Sequence, residues 1–231
     1  MKNTGKAFGS LLMIGSVMGL ASCGSGKTTL TYIGHASVKI VASDSSVLYI
    51  DPAYSEWDYV NDPADYILVT HGHDDHKPNS SLKLKEGGRK IDHTEALHGG
   101  VYETFELGPF KVQAVAAGGN RNHDVRYCVG YLVTVDGITI YHAGDTSKIE
   151  QMKDLSSRHI DYAMYPIDGI YNMDASEAEE VANLVGACRN IPIHENDQNG
   201  SRKSDNFNPK GRLVLKYGET IKIEPQKDGG E

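Results

Sequence analysis

Residues 66–69 read Tyr-Ile-Leu-Val, and the next seven read Thr-His-Gly-His-Asp-Asp-His. A short apolar run bounded by polar residues is a buried strand. Three imidazoles and two carboxylates therefore stand on the loop at a strand's C-terminal end, where layered α/β folds collect their sites. His71 and His73 are two apart and can face one point. Asp75 and His76 are adjacent and can face a second point close by. Nitrogen and carboxylate donors suit zinc, and also manganese or iron. No cysteine stands in the cluster, which excludes a structural cysteine–zinc site. A solvated polar loop would need no partners elsewhere. Here two follow downstream, Asp145 in YHAGDT (141–146) and His194 in PIHEN (192–196), each closing a strand-like run.

The rest of the chain supplies strands first and a good helix late. LTYIGHASVKIV (30–41) and SVLYI (46–50) read as paired strands around the turn ASDS (42–45). Residues 86–100 read as irregular. Residues 101–117 alternate as strands do, and 127–135 with 138–144 form a hairpin about Asp136-Gly137. DYAMYPI (161–167) is a further buried strand, and the tail 212–224 reads as two final strands. Asp174 caps a helix over 174–188, with Glu177 as capping-box partner and Ala178, Val181, Ala182 and Val185 as its apolar stripe. Strands and helix together point to an α/β sandwich. No internal repeat is visible at a fixed period.

The N-terminus is a separate matter. Lys2 and Lys6 precede the short apolar run LLMIGSVMGL (11–20), and Leu20-Ala21-Ser22-Cys23 follows. That order resembles a bacterial lipoprotein signal, with residues 1–22 removed, Cys23 lipidated and 23–29 left as a tether. It implies an exported protein held at the cell envelope by a lipid anchor. GSGKTT (24–29) has the look of a phosphate-binding loop, but Ala21 stands where that motif needs glycine and a strand follows instead of a helix. The domain proper is 30–231. Loss of two lysines would take the mature chain from the formal charge of −8 to −10. No nucleic-acid partner is expected of such an acidic chain without a basic run. Cys128 and Cys188 lie in no disulfide-dense context and read as buried thiols, although an exported pair can also bond.

HGHDDH matches the HxHxDH pattern of the metallo-β-lactamase fold, and YHAGDT and PIHE are similar to that superfamily's later aspartate and histidine motifs. TYIGHASVKI, LYIDP and PIDGIYNMDASEAEE further resemble the branch of ascorbate 6-phosphate lactonase-like proteins and N-acyl-phosphatidylethanolamine phospholipase D. The resemblance spans about 30–224 and implies a four-layer αββα sandwich. Carried over residue by residue, it implies His71 and His73 on a first metal, Asp75, His76 and His194 on a second, and Asp145 bridging both. The first metal's third histidine has no counterpart at the usual spot in AVAAGGNRNHD (114–124). His123 is the choice, with His98 or Asn120 as alternatives. Asp74 is expected to face away or to support a ligand. Asp51 is expected to orient a ligand histidine, the alternative being a turn aspartate. His35 is a site wall, a support or a core hydrogen-bonding residue. His142 is similarly ambiguous. Tyr171 faces substrate or packs. His93 and His159 read as surface histidines.

The implied activity is hydrolysis of an ester, lactone or phosphodiester bond of a small substrate. Two divalent ions, zinc foremost, would share a water whose pKa falls towards roughly 7. Asp75 or Asp145 would pass a proton to the leaving group, and His194 completes the catalytic set. A metal-binding envelope protein with little catalysis, or a nucleic-acid hydrolase of the same fold, are the rival readings.

Overall fold

The apolar run after Thr28 does not stay extended. It turns back at Gly34 and His35, both with positive φ, so that β1 (Thr29–Gly34) and β2 (Ser37–Val41) form a hairpin before β3 (Val47–Ile50). What the sequence presents as one strand is two, because His35 adopts the left-handed backbone that side chains usually avoid. This computed structural model describes residues 26–195 and 203–226; residues 1–22, expected above to be a signal, and Cys23 lie outside them. Thr28, assigned above to the tether, is buried and bonds Asp136 through its hydroxyl at 2.5 Å, so the domain begins ahead of residue 30.

β3 leads to β4 (Ala64–Leu68), then β5 (Leu84–Ile91) and the single turn α1 (His93–Ala96). β5 corrects the expectation of an irregular 86–100. It is an edge strand bearing charged residues and two glycines, and edge strands carry no apolar alternation to read. A small hairpin, β6 (Leu97–His98) with β7 (Val101–Tyr102), precedes β8 (Thr104–Leu107), β9 (Phe110–Ala116), β10 (Val129–Val135) and β11 (Ile138–His142). A 3-10 segment at Glu150–Ser157, β12 (Tyr162–Pro166), α2 (Ala175–Val185) and β13 (Arg189–Ile193) follow. Only one final strand forms, β14 (Glu219–Lys222). Residues 212–216 meet β13 at a lone bridge between Asn190 and Arg212.

Two six-stranded sheets result, ordered β14-β1-β2-β3-β4-β5 and β8-β9-β10-β11-β12-β13. Read in that direction, each has three antiparallel pairings and then two parallel ones. The halves repeat in topology while sharing no visible sequence period. Their inner faces enclose the main core, with Leu30, Val38, Ile40 and Leu48 against Phe110, Val112, Tyr131 and Val133. α2 covers the outer face of the second sheet. Its four stripe residues are buried, and Val181 and Val185 contribute about 1.5–3 kcal/mol each by leaving water. Asp174 Oδ1 accepts from the Glu177 N–H at 2.8 Å, but the Glu177 carboxylate accepts from the Lys148 N–H, so only half of the capping box forms. On the first sheet the outer layer is turn structure, in which Tyr54, Trp57 and Tyr59 pack over Tyr49 and Ile67. Parallel neighbours β3, β4 and β11, β12, β13 end at edges whose loops carry the polar residues singled out above.

Candidate metal centre

Six imidazoles and two carboxylates converge at one edge of the sandwich. His71, His73 and His123 form one cluster, their donor atoms all within 4.8 Å of one another. His35, Asp75, His76 and His194 form a second, and Asp145 joins His71 and His76 in a third that overlaps both. Asp145 stands between the two sides. Its Oδ1 lies 3.3 Å from His76 Nε2, and its Oδ2 lies 3.3 Å from His123 Nε2 and 3.4 Å from His194 Nε2.

Local folding explains each placement. The His71–His76 loop leaves β4. Asp145 follows β11 through Gly144, whose φ is +63°. A Cβ there would sit 2.7 Å from the Val129 carbonyl oxygen and 3.1 Å from Thr70 Cβ, so glycine alone lets the two ligand-bearing turns lie together. His123 arrives by a tight return. Asn120 Oδ1 accepts from the N–H groups of Asn122 and His123, both at 2.9 Å, and the His123 carbonyl accepts from the Gly119 N–H at 2.8 Å. The loop thus folds His123 back against the end of β9. Asn120 is spent on that turn, with its amide donating to Ser147 Oγ and the Tyr171 carbonyl. His98 is exposed and belongs to none of the clusters.

Behind the clusters lies a chain of hydrogen bonds. Buried Asp51, at φ +47°, accepts from His76 Nδ1 at 2.8 Å and from the Thr70 hydroxyl at 2.6 Å. The Thr70 oxygen in turn lies 3.1 Å from His71 Nδ1 and, its own proton being given to Asp51, accepts there. One carboxylate therefore fixes both imidazoles with Nε2 facing inward. Asp168, after β12, does the matching task for His194, whose Nδ1 it faces at 3.2 Å. Asp168 also accepts from the N–H groups of Ile170 and Tyr171 and from the Asn172 amide. Asp168 was not among the expected site residues; its one signal in the sequence is PIDG, which repeats the Ile-Asp step of YIDP after a buried strand.

The remaining residues sort by contact. Asp74 is exposed and pairs with Lys77 at 2.7 Å. His142 is buried in the core, donating to the Ala36 carbonyl at 2.9 Å and accepting from the Gly144 N–H. Tyr171 is half exposed and lines the opening over the clusters. His93 is not an ordinary surface histidine, since its ring lies against Gly72. No disulfide joins Cys128 and Cys188; Cys128 is buried and Cys188 half-buried.

The electrostatics favour cation binding. Burial pushes the His71 imidazole down to about 3, and burial likewise lowers His123, so both are neutral donors at pH 7. Burial opposes charge on His76 as well, yet Asp145 and Asp51 hold it well above its usual value. The Asp145 carboxylate, despite its burial, is kept well below the usual range by His76 and His194. Buried His71 Nε2 makes no hydrogen bond, while His76 Nε2 and His194 Nε2 meet the Asp145 carboxylate at 3.3 and 3.4 Å without hydrogen-bond geometry. Leaving several such atoms unpaired costs roughly 1–3 kcal/mol each, and a divalent ion coordinated by them removes that cost. The donor set, imidazole and carboxylate without thiolate, fits zinc, manganese or iron.

Two mixed sheets with this donor set at their edge define a protein built to bind metal at the sheet ends. The β-lactamase superfamily domain matches residues 29–194. A UPF0173 metal-dependent hydrolase of Methanoregula boonei is 30% identical over 222 residues, spanning 86% of this chain and 99% of that one. A counterpart from Shouchella clausii is 31% identical over 231 residues, with 84% and 99% covered. The crystal structure of a metal-dependent hydrolase from Parabacteroides distasonis superposes with a TM-score of 0.70 at 29% identity, over 82% of this chain and 94% of that one. A Zn-dependent hydrolase of Thermotoga maritima shares the fold, with a TM-score of 0.61 at 20% identity over 81% and 97%. The chain belongs to the UPF0173 metal-dependent hydrolases of the β-lactamase superfamily.

Proposed function

We propose that this chain is a binuclear hydrolase acting on an ester, lactone or phosphodiester bond of a small substrate. The observation that carries the reading is the pair of donor clusters sharing Asp145, with the buried Nε2 atoms of His71, His76 and His194 left without hydrogen bonds. His71, His73 and His123 would hold one ion, Asp75, His76 and His194 the other, and Asp145 would bridge them. Zinc is the first choice, with manganese or iron as alternatives. Bound ions would polarise the scissile bond and make a water acidic enough to serve as nucleophile at neutral pH.

The chain's own residues set the rest. Asp51 and Asp168 hold the histidine rings against rotation. Asp75, the one half-exposed carboxylate of the clusters, faces the opening and is placed to hand a proton to the leaving group. Tyr171 and Asn122 border the same opening and can contact substrate. The resemblance of TYIGHASVKI, LYIDP and PIDGIYNMDASEAEE to motifs of lactonase-like proteins and the acyl-ethanolamine phospholipase supports these bond types by analogy alone. Three imidazoles meeting at the first cluster speak against a protein that binds a single ion without catalysis. The test is metal content and hydrolysis of lactone, ester and phosphodiester panels by wild type and His73→Ala. Two ions per chain with hydrolysis in wild type, and loss of both an ion and turnover in the variant, are expected. Unchanged metal content and turnover in His73→Ala would sink the reading.

The N-terminal pattern supports an exported lipoprotein, anchored through Cys23 to a membrane. Cys23→Ser is expected to abolish palmitate labelling and move the protein to the soluble fraction; persistent labelling would rule the anchor out.

A further inference from the structure

The opening over the metal clusters is small, about 250 Å³. Sites that enclose a whole small molecule usually measure roughly 300–1,000 Å³. This one has room for a reacting group and little more. Beside it lies a cavity of about 600 Å³, walled by His93, Leu97 and Tyr102 on one side and Val125, Arg126 and Tyr127 on the other.

The two spaces have different linings, drawn from neighbouring segments of the chain. β5 runs parallel to β4, so the segment carrying His93 to Tyr102 emerges where the His71–His76 loop emerges. A Cβ on Gly72 would lie 3.5 Å from His93 Cε1, which places the His93 ring directly behind the loop that bears His71 and His73. The opposite wall belongs to the loop of His123, two residues before Val125. One side of that loop faces the metals and the next few residues face the cavity.

The cavity is neutral and carbon-lined. Arg126 is the one permanent cation in its wall. Asp124 takes that charge, with Arg126 Nε 3.0 Å from both carboxylate oxygens and Nη2 2.5 Å from Oδ2. The guanidinium also lies 5.5 Å from the Tyr127 ring centre. Burial lowers His93 from its usual value, which favours the neutral imidazole. Arg126 and Asp124 pair at the cavity's exposed rim. Exposed apolar side chains concentrate here too. Of the seven large ones exposed among the described residues, Tyr127 and Tyr171 line the two spaces, and Val101 and Ile170 are chain neighbours of lining residues.

We propose that this cavity holds a neutral apolar arm of the substrate, an alkyl chain or aryl group, while the scissile bond lies over the metal clusters. The inference rests on the hydrolase reading above and deepens it by naming the substrate class. A substrate of this kind is a polar ester, lactone or phosphodiester carrying one hydrophobic substituent.

Two measurements on the full chain test it separately from catalysis. The neutral fluorophore N-phenyl-1-naphthylamine is titrated into metal-loaded and chelated protein. It binds both, and Val125→Trp, which fills the cavity, weakens binding about tenfold, while Tyr127→Ala, an exposed site that spares the fold, weakens it about threefold. Metal content stays at the wild-type value in both variants. The second measurement uses 4-nitrophenyl esters and γ-lactones of increasing alkyl length. In wild type KM falls by up to about fourfold per methylene that enters the cavity, and the slope flattens in Val125→Trp. Faster turnover of soluble esters than of phosphatidylethanolamine vesicles assigns the arm to a free substrate, and the reverse assigns it to a membrane lipid; both support the cavity's role. If no panel member is cleaved but the fluorophore is displaced by filling the cavity, the hydrolase reading fails and the apolar site stands. If esters are cleaved with no dependence on chain length, or the fluorophore binds wild type and both folded variants alike, the proposal is overturned.

Discussion

His35 Nε2 stands 3.0 Å from Asp75 Oδ2, forty residues away along the chain. Asp75 is the exposed member of the second cluster, and this contact is what fixes its carboxylate. The His35 hydrogen bond holds Asp75 well below the usual carboxylate range, against the opposing effect of partial burial. The His35 turn is itself tied to β13, since its carbonyl accepts from the His194 N–H at 2.8 Å, and the two rings lie against each other, tilted by 41° with centres 3.7 Å apart. His35→Ala is therefore expected to weaken the second ion by about 10- to 100-fold while sparing the first. Elemental analysis at limiting metal should read nearer one ion per chain than two. Full occupancy in the variant would show that Asp75 needs no such support.

Asp168 supplies the next expectation. Its carboxyl sits at about 2, because the His194 contact and the N–H groups of Tyr171 and Ile170 outweigh burial. Asp168→Ala frees the His194 ring and releases four bonds that shape the Ile170–Asn172 turn. Metal affinity should fall about 10- to 100-fold, with a rise in KM because Tyr171 loses its position. Asp51→Ala should be worse, since Asp51 orients His71 through Thr70 and His76 directly, one residue from each cluster. Competitive chelator titration ranks the three proteins; Asp51→Ala binding as tightly as Asp168→Ala would contradict the relay.

Much of this was legible beforehand, for reasons that differ by residue. β4, β10, β11 and β12 show in the sequence as apolar runs because both faces of each are largely buried, and α2 shows its stripe because one face is dry. The HGHDDH loop announced itself by density of donors. β5 did not, because an edge strand with Lys85, Glu86, Arg89 and Lys90 has no buried face to display. The β1–β2 turn hid inside an unbroken run of strand-forming residues, with Gly34 and His35 its only break. His123 could be named as a choice only, since its place depends on a loop return built by Asn120 and two glycines. The pairing of two topologically matched sheets lies in hydrogen-bond order, which leaves no period in side chains.

Chelation offers a direct check on whether the clusters are strained without ions. An ion that binds the folded chain alone, at about a hundred times its Kd, adds about 2.7 kcal/mol of stability. Dialysis against a strong chelator should lower Tm by several degrees, and excess Zn(II) should restore it. In Asp145→Asn the ion-dependent increment should vanish, because both clusters lose their shared carboxylate. An unchanged melting curve after verified metal loss would argue that the donors are satisfied by the protein alone.

Cys128, a donor of neither cluster, provides a pH test. Burial pushes its thiol up to about 12 from an ordinary value of 9.0, with Asp145 and Asp124 adding to the shift. The folded thiol thus keeps its proton where the unfolded one loses it. Its contribution to stability is complete below pH 9 and declines as pH rises from 9 towards 12, at up to about 1.4 kcal/mol per pH unit. Cys128→Ala should flatten that alkaline decline in a urea-denaturation series. The same burial predicts slow alkylation: at pH 8.5, iodoacetamide should modify Cys128 in unfolded chain at least tenfold faster than in native protein, read by peptide mapping. Equal rates in the two states would mean the thiol is reachable and the burial that raises it is absent in solution.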